Sequence, residues 1–181
     1  MTFHPKIIDF FKKHNMYEPE MFKYFEKQST MIDYADPEQR CFVGCFYILD
    51  KSRKLKDIRL NLPYMSDDVT LLINIHEITH GYDTYHKMGK KFKKDITIEA
   101  LPLLYEKIYI LENPTEELTK YSAYLDKLIT EKSEEEYRFG LKIREELLKQ
   151  YNNNPKEMSK LIVKMGQKYR FNEWKNSLRH K

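Results

Sequence analysis

The sequence predicts a mainly helical α+β fold in which a small antiparallel β-hairpin or sheet lies against one strongly apolar helix. Three observations carry that expectation. Apolar residues recur at helical spacing through 96–113, 115–130, 134–149 and 155–169. Two runs, 41–49 and 55–62, carry strand patterns. Between them and the later helices lies Leu71 to Asp83, LLINIHEITHGYD, a segment apolar on nearly every side. At 181 residues the chain is large enough to bury a proper core as one domain. Within that domain the expected parts are N-terminal helices over 1–40, a hairpin over 41–66, the helices of the site over 67–150, and a C-terminal helix and tail over 151–181.

In chain order, 5–14 and 19–28 read as short helices, each opened by a proline, with Ile7, Ile8, Phe10, Phe11, Met21, Phe22 and Phe25 as packing residues. The run CFVGCFYIL, apolar on both faces, reads as a covered strand. In the next strand Ile58, Leu60 and Leu62 alternate with Asp57, Arg59 and Asn61, so one face is buried, and a hairpin across Asp50 to Lys54 joins the two. Ser66, followed by Asp67 and Asp68, caps the central helix, its acids complementing the helix dipole. A basic linker, KMGKKFKKD, follows, with Asp95 as a cap for the next helix. There Leu101, Leu104, Tyr105, Ile108 and Leu111 form one stripe while Glu99 and Glu106, seven apart, share the opposite face. Pro102 fits only in the first turn or at a kink. Asn113-Pro114 ends that helix and Thr115 caps another to about Thr130. Gly140 falls in the middle of the helix over 134–149, at a cost of about 1 kcal/mol relative to alanine, which implies close approach of another element. Asn154-Pro155 opens the last helix, with Met158, Leu161, Ile162, Met165 and Tyr169 on its stripe and a short basic tail from Phe171.

Charged residues make up 33% of the chain and the net charge is only +4, both signs being interleaved, so neither a nucleic-acid partner nor a membrane is expected. Lys90, Lys91, Lys93 and Lys94 read as a solvated loop. The N-terminal residues lack a sustained apolar run before a cleavage site, and no segment reaches the length of a membrane span, so a cytoplasmic protein is expected. Cys41 and Cys45 lie on one strand face, too far apart to bridge easily, and read as buried free thiols.

The chemistry resides in HExxH. A helix turns about 100° per residue, so His76 and His80 leave the same face one turn apart, as two nitrogen ligands of one small cation require. Neutral imidazole suits Zn2+. Glu77 lies beside the metal but too far round the helix to be an easy ligand, so its expected role is the general base that takes a proton from water. Val69, Leu71, Leu72, Ile73, Ile75 and Ile78 surround the motif. Two bare imidazoles and a carboxylate buried among them need a strong partner to offset their desolvation.

A catalytic zinc site commonly has three protein ligands, and two residues compete for the third place. Glu99 would come from the next helix. His86 would complete HEITHGYDTYH, which has the His spacing of the metzincin pattern HExxHxxGxxH. On a continuous helix His86 would lie about 120° from His80, so it can ligate only if the helix breaks after the motif. The metzincin glycine that makes this break is replaced by Asp83, which favours Glu99. If the helix continues, Asp83 follows the metal face and can support a ligand.

The segment RLNLPYMSDDVTLLINIHEITHGYD, followed by EALPLLYE, resembles the catalytic core of the oligoendopeptidase and thimet oligopeptidase family of gluzincins. Asn61, Asp67, Asp68, Val69, His76, Glu77, His80, Glu99 and Glu106 stand at matching or nearly matching positions. The resemblance implies a minimal zincin-like core with Glu99 as third ligand and Glu106 as a supporting residue. Tyr137-Arg138-Phe139-Gly140 looks like the family's Tyr-x-x-Gly step, whose tyrosine stabilises the oxyanion. Departures are Thr79 for the glycine inside the motif, Asp83 for a histidine, and the missing tyrosines just before Tyr137. The likeness covers roughly residues 55 to 140, and members of the family are several times longer.

The expected function is therefore that of a zinc-dependent metallopeptidase holding one Zn2+ on His76, His80 and Glu99, with Glu77 as general base and a peptide or unfolded protein as substrate. The substrate strand would pair with the free edge of the Leu55 to Leu62 strand. Tyr137 is the expected oxyanion donor, with Arg144 as a helper and Tyr82 and Tyr85 as alternatives. Two other readings remain at this level: a metzincin-like peptidase that uses His86, and a helical binding module that keeps the metal site without chemistry.

Overall fold

A computed structural model describes residues 3–32, 45–49, 55–61, 68–86, 96–132 and 134–179. Two proline-led helices, α1 (Pro5–Lys13) and α2 (Pro19–Gln28), open the chain. Proline suits these starts because its ring fixes φ and the first turn has no use for its missing N–H. Three short strands follow, β1 (Ser29–Ile32), β2 (Cys45–Leu49) and β3 (Leu55–Asn61). Five helices complete the described chain: α3 (Asp68–Tyr85), α4 (Ala100–Glu112), α5 (Glu116–Lys132), α6 (Glu135–Lys149) and α7 (Pro155–Arg179).

The α+β expectation of a minimal zincin-like core built on a small antiparallel hairpin does not stand. The described residues are predominantly helical, and the described core belongs to the helices and the turns beside them. The strands do not form the expected hairpin either. β2 pairs antiparallel with β3, but β1 pairs parallel with β3 on its other side, giving the order β1-β3-β2. β3 is thus the central strand and has no free edge for a substrate. β1 escaped the sequence pattern because it is four residues long and follows α2 with no turn residue between them. The turn at Asp50 to Lys54, the cap at Ser66 and Asp67, the basic linker over 87–95 and Cys41 lie outside the described residues, as does the side chain of Cys45.

Two helices deserve particular attention for what they position. α3 is buried on nearly every side from Val69 to Tyr82, which explains why its sequence lacks a polar stripe: Leu71, Leu72, Ile75 and Ile78 are fully buried among α1, α2, α4 and the sheet. α4 begins at Ala100, so Pro102 falls in the first turn, where it breaks no helical hydrogen bond. Around this pair α1 contributes Phe10, whose ring stands edge-on to Tyr105 and Tyr109 of α4 at 6.2 and 5.4 Å. Thr115 caps α5 as expected, its Oγ1 accepting from the Leu118 amide at 3.2 Å.

The glycine in α6 has the neighbour its sequence position implied. A Cβ at Gly140 would lie 2.8 Å from Leu103 Cδ1 and 3.2 Å from both Cα and N of Ala100, so α6 meets the first turn of α4 backbone to backbone. α7 comes close at Gly166 to the turn before α4, where a Cβ would lie 2.5 Å from the side-chain Cγ2 of Thr97. α7 also runs through Phe171 to Arg179, so the short tail expected from Phe171 is helix instead. Nothing between Gln167 and Asn176 breaks a helix, although Phe171 itself is exposed. No described helix is long and apolar enough to cross a membrane.

Replacing Gly140 with alanine tests this packing. Helix propensity alone would favour the variant by about 1 kcal/mol. Because the Ala100 backbone cannot yield as a side chain does, urea unfolding should instead find it less stable by roughly 1–3 kcal/mol. A more stable variant would mean that α4 and α6 stand further apart than described.

Candidate metal centre

His76 and His80 leave α3 one turn apart with their rings 4.8 Å between centroids and their Nε2 atoms 3.1 Å from each other. The intervening Thr79 turns its hydroxyl onto the Ile75 carbonyl at 2.7 Å, which satisfies it within the helix and leaves the metal face to the imidazoles. α3 passes through His80 without a break and continues to Tyr85. His86 is consequently carried away from the pair. Its Nε2 lies 3.1 Å from Glu18 of the α1–α2 connection, and its ring packs on Tyr82 and Tyr85. The metzincin-like arrangement therefore has no counterpart in this fold.

Glu99 supplies the third group. It is the N-cap residue of α4, makes no capping bond with its side chain, and turns that side chain toward the histidines. Its Oε2 lies 3.1 Å from His76 Nε2 and 3.2 Å from His80 Nε2. The three atoms thus form a nearly equilateral triangle on buried residues, His76 being 7% exposed, His80 4% and Glu99 7%. Donor atoms at about 2.0–2.2 Å from a tetrahedral zinc stand roughly 3.3–3.6 Å apart. The triangle is slightly tighter than that, a difference small side-chain rotations remove. Its donors, two imidazole nitrogens and a carboxylate oxygen, suit a borderline cation.

Behind the triangle, Glu106 Oε1 lies 3.2 Å from Nδ1 of His76. One ring nitrogen thus faces a carboxylate while the other faces the triangle, the usual way to fix a ligand tautomer. Electrostatics follow from these contacts. Burial favours the neutral ring of His76, but Glu106 and Glu99 overcome it and push its pKa well above the ordinary histidine range. Burial likewise opposes ionisation of Glu99, yet His80 and His76 hold its carboxyl well below the usual carboxylate range. Two imidazoles and two carboxylates compensate one another in this buried setting.

Glu77, 9% exposed, follows His76 on the helix, and burial raises its carboxyl above the ordinary value, only partly offset by His76 and His80. Tyr137 of α6 is half-buried and feels the charge of the same carboxylates. Burial first, and then the charges of Glu99, Glu77 and Glu106, hold the proton on its hydroxyl far above the usual range. Gly140, one turn further along α6, permits the close approach of that helix to Ala100, the residue after Glu99. Arg144 takes no part: its two terminal nitrogens are bound by Asp126 of α5 at 2.9 and 2.7 Å. Tyr82 is buried against His86, its hydroxyl pushed up to about 12 by burial and then by Glu18 and Asp83, and Tyr85 packs on Tyr24 and Phe25. Asp83 lines a cavity of about 20 Å³ with Thr97 and Ser159, room for one water and not for a substrate. The residue that sequence reading passed over is Gly166, whose contact with Thr97 holds the turn before Glu99. A lone glycine in a helix is the only signal it gives.

No family model, curated protein or solved structure matches the chain.

Metal titration distinguishes the positions. Replacing His76, His80 or Glu99 with alanine should abolish stoichiometric uptake of a divalent metal, while His86→Ala should leave it intact. Glu106→Gln should weaken affinity roughly 10- to 100-fold, measured by competition with a chromogenic chelator.

Proposed function

We propose that the protein is a zinc-dependent metallopeptidase of gluzincin type, held by His76, His80 and Glu99 around one Zn2+. The observation that carries this reading is the buried triangle of two Nε2 atoms and one Oε2 at 3.1–3.2 Å, with an acid next to the first histidine. Three protein donors of this kind leave a corner of a tetrahedral zinc free. When bound there, Zn2+ supplies a Lewis acid that polarises a peptide carbonyl and makes water a better nucleophile at neutral pH.

The protein's own groups do the rest. Glu77, its carboxyl raised by burial, takes the proton of the attacking water and delivers it to the leaving amine. Tyr137 keeps its proton at every working pH and so can donate a hydrogen bond to the carbonyl oxygen as negative charge grows on it. Glu106 orients His76 through Nδ1. Peptides or unfolded proteins in a cytoplasmic setting are the substrates we infer. The resemblance over roughly residues 55 to 140, carried by the HExxH segment and EALPLLYE, supports the gluzincin assignment.

A second reading has one observation in its favour. The ligands and Glu77 are all at most 9% exposed, which suits a structural metal that stabilises a helical module and does no chemistry.

Turnover of a fluorogenic peptide library and of denatured casein separates the two. On the peptidase reading the zinc-loaded protein cleaves, Glu77→Gln binds zinc but loses turnover, and Tyr137→Phe lowers kcat on the order of 10²-fold with KM little changed. Zinc binding with a raised Tm and no cleavage would favour the structural reading, and full turnover in Glu77→Gln would remove Glu77 as the base.

A further inference from the structure

Charge is distributed unevenly along the chain. α7, Pro155–Arg179, holds seven lysines and arginines against two glutamates, a net +5 that exceeds the +4 of the whole chain and leaves the rest at −1. The interleaving of signs that speaks against a polyanionic partner for the chain as a whole does not extend to this helix. At about 100° per residue, Lys156, Lys160, Lys164, Lys168 and Lys175 all leave α7 within an arc of about 120°. All five are exposed. The opposite side of the helix packs inward through Met158 and Ile162, and through Gly166 against Thr97, so the fold turns the lysine arc to solvent.

A solvated helix face gains from opposite signs four residues apart, as Glu116 and Lys120 provide in α5. On the α7 arc lysine follows lysine at that spacing three times running, from Lys156 to Lys168, and like charges so placed destabilise a helix. Of the five, only Lys160 has an acidic partner among the described residues, Glu157 at 2.7 Å. Phe171 falls in the middle of the same arc, between Lys168 and Lys175 along the axis, and is 58% exposed.

We propose that this face of α7 is a binding surface for single-stranded nucleic acid, its lysines contacting phosphates along about 28 Å of helix and Phe171 stacking on an unpaired base. A phosphodiester backbone is a regular polyanion, and a row of cations repeated about every 6 Å matches it and relieves the repulsion among the lysines. A bare basic row would take duplex and single strand alike. The exposed ring selects the single strand, whose bases are open to stacking, whereas those of a duplex are stacked on one another. An anionic membrane suits the face less well, because an interfacial helix lays its apolar side into the lipid and the apolar side of α7 is taken by the core. The surface belongs to a different element from His76, His80 and Glu99, so it stands or falls separately from the peptidase reading.

The test is fluorescence anisotropy of the full-length protein with labelled oligothymidylate, with a duplex of equal length and with phosphatidylserine vesicles. Single-strand binding should be the tightest, and its logarithm should fall against the logarithm of salt concentration with a slope of about −3.5 if all five lysines engage. Combining Lys156→Gln, Lys164→Gln and Lys168→Gln should reduce that slope to about −1.4. Phe171→Ala should weaken single-strand binding roughly 10-fold and leave the slope unchanged. Circular dichroism checks that these exposed substitutions keep the helix content. No binding, a wild-type slope near zero, an unchanged slope in the triple variant, a Phe171→Ala protein that binds as the wild type does, or duplex or vesicles bound as tightly as the single strand would overturn the proposal.

Discussion

Two histidine nitrogens and a carboxylate oxygen stand 3.1–3.2 Å apart where water scarcely reaches, and much of the fold can be understood as the means of holding them there. Lone pairs brought this close repel unless a cation or protons lie between them, and each group gave up hydration to arrive. Glu106 on one side and Glu99 on the other offset part of that cost through the His76 ring. The remainder is the physical argument that the triangle could hold a metal ion: such an ion would compensate all three donors at once and would couple its own binding to folding.

The scaffold around these atoms has a simple logic. α3 presents both histidines from one rigid element, so their mutual geometry is fixed by helix pitch. Glu99 comes from the turn that starts α4, an element with no such built-in precision. That turn is secured by contact from outside, Gly140 of α6 against Ala100 and Gly166 of α7 against Thr97. The same helix α6 carries Tyr137, whose hydroxyl feels the charge of Glu99, Glu77 and Glu106.

What the sequence disclosed depended on how local the determining physics was. The two histidines, the helix that bears them and the cap at Thr115 follow from spacing within one segment, and the choice between Glu99 and His86 followed from asking whether α3 could break at Asp83. Gly140 was legible because an unexplained helical glycine implies a neighbour, though not which one. Tertiary features were not. β1 has no signature beyond four residues, and its parallel pairing with β3 cannot be read from alternation, so the expected hairpin misrepresented the sheet. Arg144 shares a helical face with Tyr137, but its fork is occupied by Asp126, eighteen residues earlier and on another helix. The contacts of buried His14 with Glu112 and Tyr151 were invisible for the same reason, those partners being 98 and 137 residues away.

α7 links the turn beside Glu99 to the end of α1. It starts at Pro155, two residues after Asn153, whose Nδ2 donates to the Lys13 carbonyl, and reaches Thr97 at Gly166, eleven residues on, a span of roughly 16 Å along one helix. Because a helix rotates about 100° with every residue, adding or deleting a single position in that interval would swing the glycine away from the threonine and put a bulkier neighbour in its place. Substitution on the outer face of this strut leaves that packing intact over evolutionary time, whereas a change in its length does not.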